Sequence, residues 1–301
     1  MRLARIIVQL VVIAAAALAA PARAASGQHA GGGDSLVVST AWLAARLGDP
    51  SVVVLHVGHG DSYDKAHIPG ARALSYHDVV TRHDGLGSEL PPADRLRALL
   101  ERLGVSDSTR VVVYGDEPPM ATRVLFTLDY LGHERISLLD GGLPQWRAER
   151  RPVTRDRPRI ARGRLTPRLR PEVLADADWL QAHLGQPGIA LVDTRTDGEY
   201  LGAGERHGMP SAGHLPGARQ LEWEQLFRDG THLLRDRDEL RQLYADRVAP
   251  DATVVTYCWV GYRASATYLV ARHLGYQARM YDGSYQDWSQ RKLPVRGGAA
   301  P

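Results

Sequence analysis

The chain says the same thing twice, and that duplication restricts what it can fold into. "STAWLAARL" (Ser39 to Leu47) returns as "DADWLQAHL" (Asp176 to Leu184). "VVVLHVGHGDSYDKAHIPGARAL" returns as "IALVDTRTDGEY", followed by "AGHLPGARQL". "RVVVYGDEPPMATRVLFTLDYLG" is echoed by "TVVTYCWVGYRASATYLVARHLG", and "SLLDGGLPQW" by "RMYDGSYQDW". Trp42 and Trp179, His67 and His214, Tyr114 and Tyr257, and Asp140 and Asp282 pair off in one order at nearly constant spacing. Ordered echoes of this kind imply a duplicated domain. A length of 301 residues also suits two domains better than one.

Each half alternates short apolar, β-branched runs with longer helical patterns. Val52–Val57, Arg110–Tyr114, Ile189–Asp193 and Thr253–Tyr257 are strand-length, and their near-continuous apolar character predicts a sheet covered on both faces. Leu96–Leu103, Leu240–Tyr244 and Ala264–Leu274 read as helices, the last stopping at Gly275. The expected fold class is therefore α/β: two tandem domains, each a parallel sheet with helices on both faces. The boundaries read as residues 35–150 and 172–297, joined by a Pro- and Arg-rich linker at 151–171.

Ahead of the first domain, Arg2 and Arg5 precede an apolar run, Ile6 to Ala20, and Ala22-Arg23-Ala24 supplies small residues suited to a signal peptidase. A membrane span needs about 20 apolar residues, so residues 1–24 read as a cleaved signal peptide, cut after Ala24 or Ala25. The competing reading is an uncleaved anchor. Residues 25–34 are Gly-rich and read as a flexible segment. The expected location is periplasmic or secreted, with no membrane association after cleavage. The 37 Lys+Arg and 34 Asp+Glu are interspersed with no dense basic block, which argues against a nucleic-acid partner. Twelve scattered histidines show no metal-ligand spacing, and neither a metal nor a cofactor is expected.

Export sharpens the meaning of Cys258, the one cysteine in the chain. Exported cysteines usually pair as disulfides. A solitary one is either a buried, inert thiol or one kept for chemistry. Cys258 falls just past the carboxyl end of a strand, where open parallel sheets bind ligands. "CWVGYR" then forms a turn around Gly261 before a helix begins at Ala264. Inward-facing N–H groups of such a turn, the positive end of the helix dipole and the Arg263 charge all favour a thiolate. Cys258 is thus the candidate nucleophile. Trp259, Val260, Gly261, Tyr262 and Arg263 form its candidate anion cradle. In the first half Gly115 stands at the matching place, and "GDEPPM" brings acids and prolines instead, so that half lacks a nucleophile.

These motifs resemble the rhodanese family, specifically its tandem-domain sulfurtransferases, from about Ser35 to Pro294. The resemblance rests on "HIPGA" and "GHLPGA", on "TYCWVGYRAS", and on "DGGLPQW" and "DGSYQDW". It implies a catalytic cysteine in the second domain and an inactive first domain. It implies covalent transfer of a sulfane sulfur through a persulfide on Cys258. The donor would be a small anion such as thiosulfate, and the acceptor cyanide or a thiol. It also implies that Arg195, in "LVDTR", grips the donor's anionic end. Asp193 is expected to fix local structure. His67 and His214, present in both halves, are expected to serve the fold, and Glu222 and Trp223 to line the pocket. Thiosulfate-using members often carry cations directly after the cysteine, whereas here Trp259 and Val260 follow it. A 3-mercaptopyruvate donor therefore stays open as the alternative. More distant rivals are a Cys-dependent phosphatase, whose loop places five residues between Cys and Arg where this chain has four, and a non-catalytic binding module.

Overall fold

The computed structural model describes residues 35–203, 208 and 212–301. The signal peptide and flexible segment expected at residues 1–34 lie outside the described residues. Two five-stranded parallel sheets form the frame. In the first, the strands run in the order Val37–Val38, Ile136–Leu139, Arg110–Gly115, Val52–Gly58, Arg72–Ser75. In the second the order is Leu174–Ala175, Ala278–Tyr281, Thr253–Tyr257, Ile189–Asp193, Arg219–Gln220. Read from the first strand of each half, the two orders coincide, so the sequence repeat is a repeat of topology. The four apolar runs are strands where the pattern places them, two of them extended by one residue to Gly58 and Gly115.

Local caps repeat as well. The Ser39 hydroxyl accepts the Trp42 N–H at 3.1 Å, and the Asp176 carboxylate accepts the Trp179 N–H at 2.7 Å. Each satisfies an orphan donor in the first turn of its helix. Helix Ala264–Leu274 ends on Gly275 at φ +99°, a left-handed stop that glycine adopts without a Cβ penalty. The duplicated histidines latch the chain that follows each domain. The His67 ring stacks on Tyr63 at 3.7 Å and contacts the Tyr63 and Asp156 carbonyls. His214 does the same with Tyr200 at 3.8 Å and the Tyr200 and Ala300 carbonyls.

One apolar core runs through both halves, with Val113, Val124 and Phe126 on one side and Val254, Tyr268 and Met280 on the other. It is closed by two helices, Pro118–Tyr130 and Ala264–Leu274, lying against each other. Thr122 Oγ1 meets Ser265 Oγ at 2.7 Å across that seam. Buried Asp129 accepts from the Tyr268 hydroxyl at 2.7 Å, from Arg272 at 2.6 Å and from Arg170. The halves also exchange loops. Asp282 Oδ2 accepts the Leu90 N–H at 2.8 Å, and the matching Asp140 Oδ1 accepts the Leu234 N–H at 2.8 Å.

Two features are not visible in the repeat. A short antiparallel hairpin, Thr81–His83 with Leu86–Glu89, reaches from the first half onto the second. The Pro- and Arg-rich segment between the halves carries no helix or strand over residues 155–170, yet it is strapped to the first half. Gly163 N–H bonds the Glu101 carbonyl at 2.8 Å, Arg168 N–H bonds the Leu131 carbonyl at 2.9 Å, and Leu165 is buried. No helix among the described residues is long and apolar enough to cross a membrane.

Candidate active site

Cys258 follows Thr253–Tyr257, the central strand of the second sheet, and its side chain is free of any disulfide and fully buried. Its loop is fixed from several directions. Helix Ser284–Gln290 begins beside it. The Tyr285 N–H bonds the Cys258 carbonyl and the Gln286 N–H bonds the Trp259 carbonyl, both at 3.0 Å. The Ser284 hydroxyl accepts the Cys258 N–H at 3.2 Å and donates to the Tyr281 carbonyl at 2.7 Å. Gly261 sits at φ +76°, and a Cβ there would stand 2.8 Å from the Asp282 carbonyl and 3.0 Å from an Arg123 nitrogen. Glycine is therefore required twice over, by backbone conformation and by space.

Arg263 closes the loop and pairs with Glu199 through two bonds of 2.9 Å each. Such a fork-to-carboxylate pair is both oriented and strong. Burial works against the Arg263 charge, but Glu199 and the Cys258 sulfur outweigh it. Burial likewise works against ionised Glu199, yet Arg263 and Thr196 hold its carboxyl below the usual range. Glu199 also accepts the indole N–H of Trp259. Trp259 is half-buried, turned edge-on to Tyr285 at 5.0 Å, with the Arg195 guanidinium 4.8 Å from its ring. These contacts tie the loop to Glu199 and Tyr285. Val260 is half-buried in the turn.

Arg195 has no exposed surface. Asp193 engages it through Nε at 2.9 Å and Nη2 at 2.6 Å, and Asp193 also accepts the Tyr257 hydroxyl at 2.6 Å. Three aromatic rings surround the guanidinium, Tyr285 being nearest at 4.1 Å. Its Nη1 alone is buried without a partner.

The first half supplies the opposite wall. The Tyr262 hydroxyl donates to Glu117 at 3.0 Å, and its ring meets Tyr76 edge-on at 5.0 Å. Burial and the Glu117 charge push the Tyr262 phenol upward, so it remains a neutral donor. Trp223 lines a cavity of about 590 Å³ together with Glu117, Phe227 and His232. Burial and the nearby Glu224 and Asp197 push the Glu222 carboxyl upward.

A buried free cysteine at a strand end, a glycine turn closed by Arg263, and a first domain of matching topology with glycine at the same place now lie together. The profile of the rhodanese-like domain matches this chain twice, over residues 39–149 and 176–291. The chain belongs to the rhodanese family. It is 34% identical over 256 residues to a thiosulfate sulfurtransferase of Azotobacter vinelandii, covering 84% of this chain and 93% of that one. Identity to the thiosulfate sulfurtransferase of Pseudomonas aeruginosa is 35% over the same length and coverage. The sulfur carrier protein TtuD of Thermus thermophilus is 35% identical over 275 residues, covering 84% of this chain and 93% of that one. Among solved structures, YnjE superposes with a TM-score of 0.78 at 26% identity, covering 87% of this chain and 68% of that one.

Within this rhodanese pair the first half has glycine where the second has Cys258, and that glycine is closely packed. A Cβ at Gly115 would stand 2.8 Å from the Glu117 carbonyl and 3.0 Å from Met120 Cβ. Asp116 is held by His56 at 2.9 Å and by the His59 N–H at 2.8 Å. Sequence reasoning missed Glu199, Ser284, Tyr76 and Arg123. Glu199 had a local signal, because Thr196 and Glu199 form a capping box at the start of helix Asp197–Leu201. The other three reach the loop through tertiary contacts alone.

Proposed function

We propose that this rhodanese-family chain is a thiosulfate sulfurtransferase that carries the transferred sulfur as a persulfide on Cys258. The observation that supports this most directly is the single cysteine at the end of the central strand of the second sheet, in a loop braced on every side, opposite a first half that has glycine in its place. The names of the relatives at 34–35% identity point the same way.

In this reading the Cys258 thiolate attacks the outer sulfur of thiosulfate. The new S–S bond forms as the old one breaks, and sulfite leaves with the bonding electron pair. The enzyme is left with a Cys–S–S⁻ group. Cyanide or a thiolate then attacks the outer sulfur and regenerates the Cys258 thiolate, giving thiocyanate or a new persulfide. No external oxidant or reductant is required, and the two half-reactions are separate, as in other covalent catalysts. The turn around Gly261, the Arg263 guanidinium and the dipole of helix Ala264–Leu274 offset the negative charge of donor and thiolate. Arg195 Nη1 is a buried donor with no partner among the described residues, and in this reading it meets the donor's anionic end.

The deciding assay measures sulfite and thiocyanate release from thiosulfate with cyanide, beside pyruvate release from 3-mercaptopyruvate. Faster turnover of thiosulfate supports this donor. A large preference for 3-mercaptopyruvate refutes it and leaves the persulfide chemistry standing. An exported location belongs to the same proposal and rests on the Arg2 to Ala24 leader. N-terminal sequencing of the cellular product should begin near Ala25, and a membrane-held product retaining Met1 would refute export with cleavage.

A further inference from the structure

Arg123 projects from helix Pro118–Tyr130 of the half that has no cysteine, and it is wholly buried. It donates to Asp282 Oδ1 and, through Nη2, to the Ser88 carbonyl at 2.8 Å. Its Nε has no partner. Burying a guanidinium with one donor unmet works against stability unless something is gained elsewhere.

The repeat indicates what is gained. Aligning Gly115 with Cys258 and Gly132 with Gly275 sets Ala266 opposite Arg123. Asp140 and Asp282 also correspond, and each accepts an N–H from the partner half's loop. The fold thus builds the Asp140 corner with alanine at this helix position, and adds a buried arginine only at the corner below Cys258.

That corner touches the loop directly. The Gly261 turn approaches so closely that a Cβ would lie 3.0 Å from Arg123 Nη1 and 3.0 Å from Asp282 Oδ1. Asp282 is followed by Gly283 and by Ser284, whose hydroxyl accepts the Cys258 N–H. Ser88, which takes the other end of Arg123, also bonds the Tyr76 hydroxyl at 2.6 Å, and the Tyr76 ring packs on Tyr262 of the loop. Arg123 therefore joins the floor of the Gly261 turn to the aromatic wall above it.

We propose that Arg123 is a positioning residue for sulfur transfer: the half without a cysteine sets the Cys258 loop through the Arg123–Asp282 pair and the Ser88–Tyr76–Tyr262 contacts. Arg123 touches neither the sulfur nor the donor. Its loss should therefore lower the rate of the chemical step more than the apparent affinity for thiosulfate. This inference rests on Cys258 carrying the sulfur.

The test is single-turnover sulfite release from thiosulfate by the full chain. Removing Arg123 alone strands the Asp282 charge, so the informative variant is Arg123→Gln/Asp282→Asn, which leaves no unpaired buried charge, with folding checked by thermal melt. The rate at saturating thiosulfate is expected to fall about tenfold or more, while the half-saturating concentration changes by less than about threefold, since a displaced loop misaligns the nucleophile. Arg123→Lys keeps a cation against Asp282 and should recover most of the rate. A folded double variant within about twofold of the wild-type rate would overturn the inference. A wild type that takes up no sulfur would overturn the function reading and this inference together. A wild type that takes up sulfur, beside an equally fast double variant, would overturn this inference alone.

Discussion

Ser284 and Gly142 hold the same place in the two halves and share a left-handed backbone, at φ +53° and φ +52°. Glycine adopts that conformation freely, whereas a serine there is strained by about 1 kcal/mol. The active half keeps the strain and gains a hydroxyl that bonds the Cys258 N–H at 3.2 Å.

Ser284→Gly should therefore separate stability from activity. Relief of strain offsets the lost hydrogen bond, each worth about 1 kcal/mol. The melting temperature should move little. Sulfite release should fall, because the Cys258 N–H loses its anchor. A variant with both properties unchanged would show that the hydroxyl has no role in the loop.

Gly115→Cys in the first half should not create a second sulfur carrier. The new Cβ would meet the Glu117 carbonyl at 2.8 Å and the Val57 carbonyl at 3.1 Å. Overpacking of this kind destabilises by about 1–3 kcal/mol, which a denaturant melt would detect. A persulfide recovered at position 115 would contradict this account of the disarmed half.

Much of this was legible in the residues. The strand runs, the stop at Gly275 and the topology follow from local apolar pattern and from the repeat, because each depends on neighbours in sequence. Cys258 and Gly261 were legible for the same reason, since a thiol between a strand and a glycine turn is a local motif. The environment of Arg263 was not. Its partner Glu199 is 64 residues away, and the pairing depends on how two loops meet over the sheet. Arg195 reads, by resemblance, as the cation that grips the donor, and only the packing of Trp259 and Tyr285 around it shows that it is enclosed. Arg123 and Ser284 stand out in the sequence only as mismatches between the copies, with Ala266 and Gly142 opposite them, and their reach to the loop is tertiary.

The domain seam should depend on Asp129, which takes donors from Tyr268, Arg272 and Arg170. Asp129→Ala leaves these groups without their shared acceptor, although Arg170 and Arg272 are partly solvated and Arg170 keeps Glu172. Breaking a fully buried ion pair by removing one partner costs about 3–5 kcal/mol, and the partial exposure here lowers the expected loss to about 1–3 kcal/mol. Thermal melts should show the loss, and a change under about 1 kcal/mol would mean that the seam is held by its apolar contacts alone.

Glu89 gives a pH dependence with a definite sign. Burial, then Asp282 and Asp287, push its carboxyl up to about 8 from an ordinary value of 4.5. The folded state therefore holds this proton more tightly than the unfolded chain does. Its contribution is fully present below pH 4.5 and is lost as pH rises towards about 8. Glu89→Gln should flatten the decline in melting temperature across that window and should be the more stable form at its upper end. Parallel pH profiles for variant and wild type would contradict this.

The most direct test of the central claim is the intact mass of the chain after incubation with thiosulfate alone. Wild type should gain one sulfur, about 32 Da, mapped to Cys258 and released as thiocyanate on adding cyanide, as a covalent intermediate requires. Cys258→Ser should fold, gain no mass and release no thiocyanate. Thiocyanate formed at the wild-type rate by Cys258→Ser, or a wild type that forms thiocyanate without ever carrying the extra sulfur, would contradict the account.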